Sequence, residues 1–511
     1  MQQTRPLPSP SRRSLILAAV SFGVFVAADD LTVVSTLLPQ MIVDFGIPVP
    51  AGLDDAAWIV SAYLIAYIVT MPFMGRVSDL YGRLSVYLIS MGFFVAGSIG
   101  VSLAQTLPWL IVFRVIQALG GGAMVPVAMA VVGDLFPPQR RPLAMGVLVA
   151  VDTAGWIFGP LYGSFLVHFL SWRWQFYLNV PAGLIAALAA VLALRGLPQT
   201  RLRVPLDVPG ALLLTAGLVA LNVAFASTGG SAATSPSFDY DLPARTQGPV
   251  VLALLAASAL LFWLFAWRER RSRSPLIALS LLSRPNLALA GAVNLMLGGA
   301  LMIAMVDVPL FTNTVLAAVR GGSVAEMVRW AAVRSGQVLA VMTGSMSLSS
   351  LAGGWLCARY GYRGPVVLGL CVAAGGFGLM GTWSPQVGLG PMALHLALAG
   401  LGFGLATAPL STAVVDTAGD TQRGVASGLV LILRLMGMSL GLSVLTAWGL
   451  RRFQQLSSGY SLAQVGEVVL DLTAQVLNET FLAAGGLLLA AVLIAAWLRP
   501  QYKPLPGTLG D

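Results

Sequence analysis

The chain has 511 residues, 57% hydrophobic and only 10% charged, with 29 Lys and Arg against 20 Asp and Glu for a formal net charge of +9 and a mean hydropathy of +0.84. That apolar content excludes a water-soluble globular protein and marks an integral membrane protein. The basic residues follow alternate loops, so their excess reports topology and gives no reason to invoke nucleic acid.

Apolar runs of about 20 residues, the length a helix needs to cross the hydrocarbon layer, recur from end to end. In order they lie near 15–39, 56–75, 84–104, 107–132, 142–167, 175–194, 207–227, 248–267, 286–311, 334–356, 364–383, 391–414, 425–449 and 478–498. The expected fold is an all-α membrane protein of about fourteen transmembrane helices. With the N-terminus taken as cytoplasmic, 20 of the 29 Lys and Arg fall on the cytoplasmic side, 7 on the far side and 2, Arg114 and Arg434, inside helices. That bias, with an even helix number, puts both termini in the cytoplasm.

The first run carries Asp29 and Asp30 near its middle, in FVAADDLTVV, 25–34. Neighbouring helix residues point about 100° apart, so the two carboxylates cannot serve one site equally. Asp30 shares its face with Ala27, Val33 and Val34, an apolar wall that favours the protonated acid. Asp29 shares its face with Phe25, Thr32 and Thr36, whose hydroxyls are available to it. Arg12 and Arg13 before the run, with VAA at 26–28, also read as a secretory signal and its cleavage site. Against that, the apolar run continues to Pro39 and the topology needs this helix.

After the second run comes GRVSDLYGR, 75–83, in which Gly75, Asp79, Gly82 and Arg83 place a carboxylate and a guanidinium on a short turn. Asp79 can face a helix N-terminus or an arginine and form a latch; the bland alternative is a solvated turn. In the fourth run Arg114 lies roughly 10 Å below the far end of its helix, and Asp30 roughly 13 Å below the end of its own, depths compatible with a pair. Asp152 in the fifth run sits roughly 15 Å deep, near the midplane. Gly155, Gly159, Pro160 and Gly163 follow it: small residues at spacing four allow close helix packing, and the proline frees a carbonyl and permits a bend.

The chain repeats internally. GDLFPPQRRPLAMG, 133–146, aligns with VDTAGDTQRGVASG, 415–428, matching Asp134, Arg141, Ala144 and Gly146 to Asp416, Arg423, Ala426 and Gly428. GRVSDLYGR resembles GWLCARYGYR, 354–363, with Ala358 in place of Asp79, so any gating charge network should be asymmetric. The register divides the chain into a tail (1–14), a six-helix bundle (15–195), a two-helix insertion with its linkers (196–285), a second six-helix bundle (286–498) and a C-terminal tail (499–511). The loop at 227–248, rich in Gly, Ser and Pro, is expected to be poorly ordered. Duplicated halves are how many secondary transporters build a central site that faces either side.

Asp152 lies six residues after Gly146 and Arg434 six after Gly428, so the two occupy equivalent positions. Either they face each other across a central cavity or each makes only a local polar contact. Asp307, just before Pro309 near a helix end, is expected where water reaches it, in an entrance role or simply solvated. His395 reads as an interfacial histidine. Cys357 and Cys371 have no metal-ligand spacing, and no phosphate loop, metal-ligand pair or nucleophile motif is present, so no cofactor, metal or enzyme activity is expected.

Residues across the chain carry a family resemblance. DLTVVSTLLP (30–39), GRVSDLYGR, RVIQALGGGA (114–123), GWIFGPLYGS (155–164) and WRWQFYLNVPAG (172–183) together resemble the fourteen-helix drug:proton antiporter family of the major facilitator superfamily. Ser164 stands where the antiporter signature has its last glycine. The stretches 45–83 and 159–167 look particularly like the mycobacterial triacylglyceride exporter branch. The resemblance implies two six-helix bundles with two extra helices between them, a role for Arg114 in proton coupling, and a bend at Gly155–Gly163 near the interface between the bundles. It also implies a monomer in a bacterial inner membrane, with protons, membrane lipids and a hydrophobic, cationic or lipid-like substrate as partners.

The function expected is proton-coupled export of hydrophobic or amphipathic molecules such as drugs. Asp30, Arg114 and Asp152 are the coupling candidates, and Asp29, Arg434 and Asp307 the secondary polar groups. Lipid export is the first alternative, a non-transporting receptor or scaffold on the same fold the second, and a gradient-driven importer the third.

Overall fold

The computed structural model describes residues 9–48, 53–195, 206–228, 248–272, 275–277, 279–321, 323–419, 422–458 and 462–499, and among them there is no strand. The helices are α1 (Pro10–Asp44), α2 (Leu53–Tyr81), α3 (Arg83–Ser102), α4 (Leu107–Leu135), α5 (Arg141–Phe169), α6 (Arg173–Leu194), α7 (Val208–Thr228), α8 (Gly248–Glu269), α9 (Leu279–Leu282) and α10 (Pro285–Phe311). A π-helical turn, Thr312–Leu316, leads to α11 (Ala317–Arg320), α12 (Val324–Tyr360), α13 (Arg363–Met380), α14 (Leu389–Ala418), α15 (Arg423–Ser457) and α16 (Leu462–Ala495). Most of the expected loop 227–248 and the 196–205 linker lie outside the described residues.

Local chemistry sets several boundaries. Proline in the first turn opens α1, α4, α5 and α10, where its missing N–H costs nothing. Ser323 and Glu326 form a capping box at the start of α12. Gly82 (φ +99°) and Gly361 (φ +79°) make the same tight turn after α2 and α12, a conformation that resists any side chain.

Among the described residues, twelve helices are long and apolar enough to cross a membrane. Of the fourteen expected spans, α7 is an apolar helix over Val208–Ala224, the part whose side chains are described. In α12 the apolar run is diluted by Thr343, Ser345, Ser347, Ser349 and Ser350. Several boundaries differ from the sequence reading: among them, α1 starts at Pro10, α2 runs on to Tyr81, α12 starts at Val324, α15 runs on to Ser457 and α16 starts at Leu462. Hydropathy ends where a helix leaves an apolar layer, but helix propensity does not. The polar extensions of α15 and α16 continue and are cross-tied by Arg452 Nε and Glu479 Oε2 at 2.8 Å.

Packing forms two groups. In the first, α5 lies on α1, and α4 on α2 and α3; in the second, α14 lies on α12 and α13, and α10 on α15 and α16. The groups meet where α5 packs on α12 and α2 on α15. Glycine permits the close approach: a Cβ on Gly75 would run into the main chain of Gly424, and one on Gly354 into that of Pro142. Helices α7 and α8 pack on each other, with α7 beside α2 and α15. Arg268 ties this pair to Asp207 (2.8 Å), and Glu269 accepts from the main-chain N–H groups of Leu276 (3.1 Å) and Ile277 (3.3 Å).

Candidate functional site

Asp30 and Arg114 are brought together, both fully buried, with Arg114 Nη1 2.7 Å from Asp30 Oδ2. The same Nη1 donates to Gln117 Oε1 (2.8 Å), and Gln117 Nε2 donates to Asp30 Oδ1 (2.9 Å) and to Ser98 Oγ (2.8 Å). Asn179 Nδ2 adds a further bond to Asp30 Oδ1 at 2.8 Å. The guanidinium also lies 3.8 Å above the Tyr63 ring. Asp30 therefore accepts from three donors, one of them a cation, and does not face the apolar wall read from its own helix. That expectation fails because α4 and α6 supply the surroundings, and single-helix periodicity says nothing about them.

Asp29 points to a different helix face, as expected, but its partner is Gln175 Nε2 (2.9 Å). The Thr32 and Thr36 hydroxyls donate to the main-chain carbonyls of Asp29 (3.3 Å) and Val33 (2.7 Å). Asp29 Oδ1 has no hydrogen-bond partner. Sequence reasoning missed Gln117, Gln175 and Asn179. The signal was present, since Gln117 is three residues past Arg114 and Gln175 and Asn179 are four apart, spacings that share a helix face.

Gly155, Gly159 and Gly163 form a stripe along which α5 presses on α1. A Cβ on Gly155 would stand 2.7 Å from Ala28 Cβ, and one on Gly159 2.7 Å from the Asp29 carbonyl. The stripe thus sits inside the first group and holds the aspartate pair in place. The contact of α5 with the second group lies further toward the start of the helix, where Ser347 Oγ donates to the Ala150 carbonyl (2.8 Å). Another face of the same stretch carries Trp156, whose ring lies 5.3 Å from the Arg434 guanidinium of the second group. The side chains of Pro160 and Ser164 lie outside the described residues.

Asp152 and Arg434 line one cleft between the groups, with Leu31, Tyr67, Val125 and Trp156. Among the described residues they form no ion pair; the Arg434 guanidinium lies 5.3 Å from the Trp156 ring instead, and its Nε is unpaired. The cavity in this cleft is about 20 Å³, room for a water molecule and not for a substrate, so the groups are closed on each other here.

One end of the cleft is closed by a charge network. Asp79, 1% exposed, accepts from the main-chain N–H groups of Gly424 (3.1 Å) and Val425 (3.2 Å) in the first turn of α15, and pairs with Arg83 (2.5 Å). Arg83 also reaches Asp134 (3.0 Å), which Arg423 holds from the second group (2.8 Å). Reciprocally, Arg141 of the first group pairs with Asp416 of the second, whose other oxygen accepts from the Tyr362 hydroxyl. The expected asymmetry is therefore partial: the Asp79 contact is one-sided, and the pairs built on Asp134 and Asp416 are reciprocal.

Asp307 is not at a wet entrance. It is 1% exposed between α10 and α16, and its Oδ2 lies 2.5 Å from Thr480 Oγ1. The expectation came from its distance to the helix end; the aromatic cluster of Phe311, Trp383 and Phe481 closes over that end. His395 accepts from Trp383 Nε1 (3.1 Å).

The family model for the Major Facilitator Superfamily matches residues 20–442. The chain is 35% identical over 462 residues to a triacylglyceride transporter of Mycolicibacterium hassiacum, covering 88% of this chain and 81% of the relative. It is 29% identical over 437 residues to the multidrug transporter MdtP of Bacillus subtilis, covering 86% and 75%. Among solved structures, the human organic anion transporter MFSD10 superposes with a TM-score of 0.60 at 18% identity, covering 96% of this chain and 100% of that one, a likeness of fold alone.

Proposed function

We propose that this protein, which belongs to the Major Facilitator Superfamily, is a proton-driven exporter of lipid-like, strongly apolar molecules. In this reading α7 and α12 complete fourteen spans, both termini are cytoplasmic, and the membrane is a bacterial inner membrane. The helices of 15–195 and 286–498 rock against each other, with 196–285 as an insertion beside them.

The observation that carries the reading is the buried Asp30 network. A carboxylate held by Arg114, Gln117 and Asn179 stabilises the arrangement only while charged. A proton arriving at Asp30 cancels the charge and strands Arg114 in a low-dielectric site, which loosens α1, α4 and α6 from one another. Asp29, with one unpaired oxygen beside this network, is the neighbouring acceptor. The latch through Asp79, Asp134 and Asp416 seals the cytoplasmic end, so release is to the far side. Asp152 and Arg434 set the polarity of an otherwise apolar cleft.

The lipid-like substrate is supported by relatives named as triacylglyceride transporters at 32–35% identity. A second reading, efflux of amphipathic drugs, is favoured by the multidrug transporter relative. Proteoliposomes with an imposed proton gradient separate them: labelled triacylglyceride moved by the gradient supports the first, and dye efflux without lipid movement the second. No substrate-dependent proton flux in either assay overturns both and leaves a receptor or scaffold.

A further inference from the structure

We propose that Asp307 and Thr480 form a second proton-binding site, in which Asp307 is a neutral carboxylic acid that donates its proton to Thr480 Oγ1. The ligand is the proton itself. The proposal concerns occupancy of this site and is independent of the substrate moved.

Counting protons leads to it. Thr480 Oγ1 lies 2.7 Å from the carbonyl of Leu477 and 2.5 Å from Asp307 Oδ2. A hydroxyl has one hydrogen to donate. If it goes to Leu477, the contact with Asp307 is satisfied only by a hydrogen on the carboxyl. An acid at Asp307 completes a chain from carboxyl to hydroxyl to carbonyl, each member donating once and polarising the next. A carboxylate leaves one of the two contacts as an unrelieved approach of oxygens.

The surroundings favour the same state. Asp307 and Thr480 are 1% and 3% exposed, and among the described residues Asp307 has no ion pair and no side-chain hydrogen-bond partner other than Thr480. Of the described charged groups on the elements packed on α10, Asp471 of α16 is exposed and several others are engaged elsewhere. On α16 Glu479 pairs with Arg452 of α15, and on α15 Arg434 lies against Trp156 at the cleft. On α14 His395 accepts from Trp383 Nε1, and on α12 Arg334 donates to Gln337 and Glu326 caps its own helix. The π-helical turn and α9 carry no titratable side chain. A buried charge with no counter-ion and one hydroxyl is among the least favourable arrangements in a membrane protein, whereas the acid is readily housed. By contrast, Asp30 is met by Arg114. The acid also ties α10 to α16 just before Pro309 and the π-helical turn, where the regular hydrogen-bond ladder of α10 is interrupted.

Infrared spectroscopy of the full chain in lipid nanodiscs at neutral pH tests this. Subtracting the Asp307→Asn spectrum from wild type should leave a carboxylic-acid carbonyl band that shifts in D2O. Thr480→Val keeps the acid but removes its partner, and should move that band to higher frequency. Loss of carboxylate bands alone in Asp307→Asn overturns the proposal. If that variant does not fold, Thr480→Val decides: an unmoved carbonyl region overturns the proposal, and a shifted band upholds it.

Discussion

Arg423 reaches across the seam to Asp134 at 2.8 Å, and the residue equivalent to it in the internal repeat, Arg141, returns the contact to Asp416. Each arginine holds the other group's aspartate, so neither group can tilt away without breaking both pairs. Charge-assisted hydrogen bonds contribute about 1.5–3 kcal/mol each. Asp134→Asn or Asp416→Asn should therefore move the balance from closed to open by about tenfold. Spin-label distances between the ends of α2 and α15 read this directly. An unchanged distance distribution in the double variant would show that the latch does not hold the groups together.

In the proposed mechanism the proton is the variable at Asp30. Asp30→Asn reproduces the protonated acid permanently, leaving Arg114 buried without its counter-ion at a cost of ~3–5 kcal/mol. The variant should lose gradient-driven flux by about a hundredfold or more and unfold at a lower temperature than wild type. Gln117→Leu removes the amide that bridges Arg114 and Asp30, and should reduce flux less. Full gradient-driven flux in Asp30→Asn eliminates this carboxylate from coupling.

What the sequence made legible follows from what it encodes locally. Twelve of the fourteen expected spans are legible because hydropathy is a property of a single helix, and the pairing of Asp30 with Arg114 because both depths can be counted from helix ends. The repeat pointed to Asp134, Arg141, Asp416 and Arg423, but only packing shows that the pairs are exchanged between groups. Asp30 was misread as facing apolar residues, and Asp307 as facing water, for one reason. The surroundings of each are supplied by other helices, α4 and α6 for the first and α16 for the second, and no period within one helix reports its neighbours. Boundaries failed where polar residues stay helical, as in α15 and α16.

The glycine stripe of α5 gives a graded test. At Gly159 an added Cβ meets the Asp29 carbonyl at 2.7 Å, main chain that cannot rotate away, so Gly159→Ala should cost about 1–3 kcal/mol and displace the aspartate pair. At Gly163 the Cβ meets the Val33 side chain at 2.6 Å together with the Thr36 hydroxyl, groups that can turn, and the cost should be smaller. Gly375 has nothing within 4 Å and serves as the neutral control. Thermal unfolding of the three variants should rank in that order, with Gly159→Ala the least stable.

The two-helix insertion has its own pH signature. Burial works to raise the Asp207 carboxyl, but hydrogen bonds from Arg268, the Gly210 N–H and Ser272 outweigh it and hold the group below its ordinary 3.8. A carboxyl depressed in the folded state contributes stability above its unfolded value and loses it as pH falls through the folded one. The part of α7–α8 docking that Asp207 supplies should thus be constant above about pH 5 and be lost only below about pH 4. Hydrogen exchange in these helices, followed down the pH scale, measures it. Asp207→Asn should remove the acid step, and a step unchanged in that variant would assign it to another group.

Asp152 and Arg434 pose the remaining question, because they share a cleft without touching. Opposite charges across an apolar cleft act on each other over a longer range than in water, so the pair is coupled even where no ion pair forms. Asp152→Asn and Arg434→Gln should each slow transport, and the double variant should be slower than wild type by less than the product of the two. A discrepancy of about fivefold corresponds to ~1 kcal/mol of coupling, within the range for neighbours in one network. Trp156→Leu separates the local contact from the cross-cleft one. It removes the ring beneath Arg434 and leaves both charges in place, so the coupling should persist in that background. Strictly multiplicative effects would mean that each residue serves only its own side of the cleft.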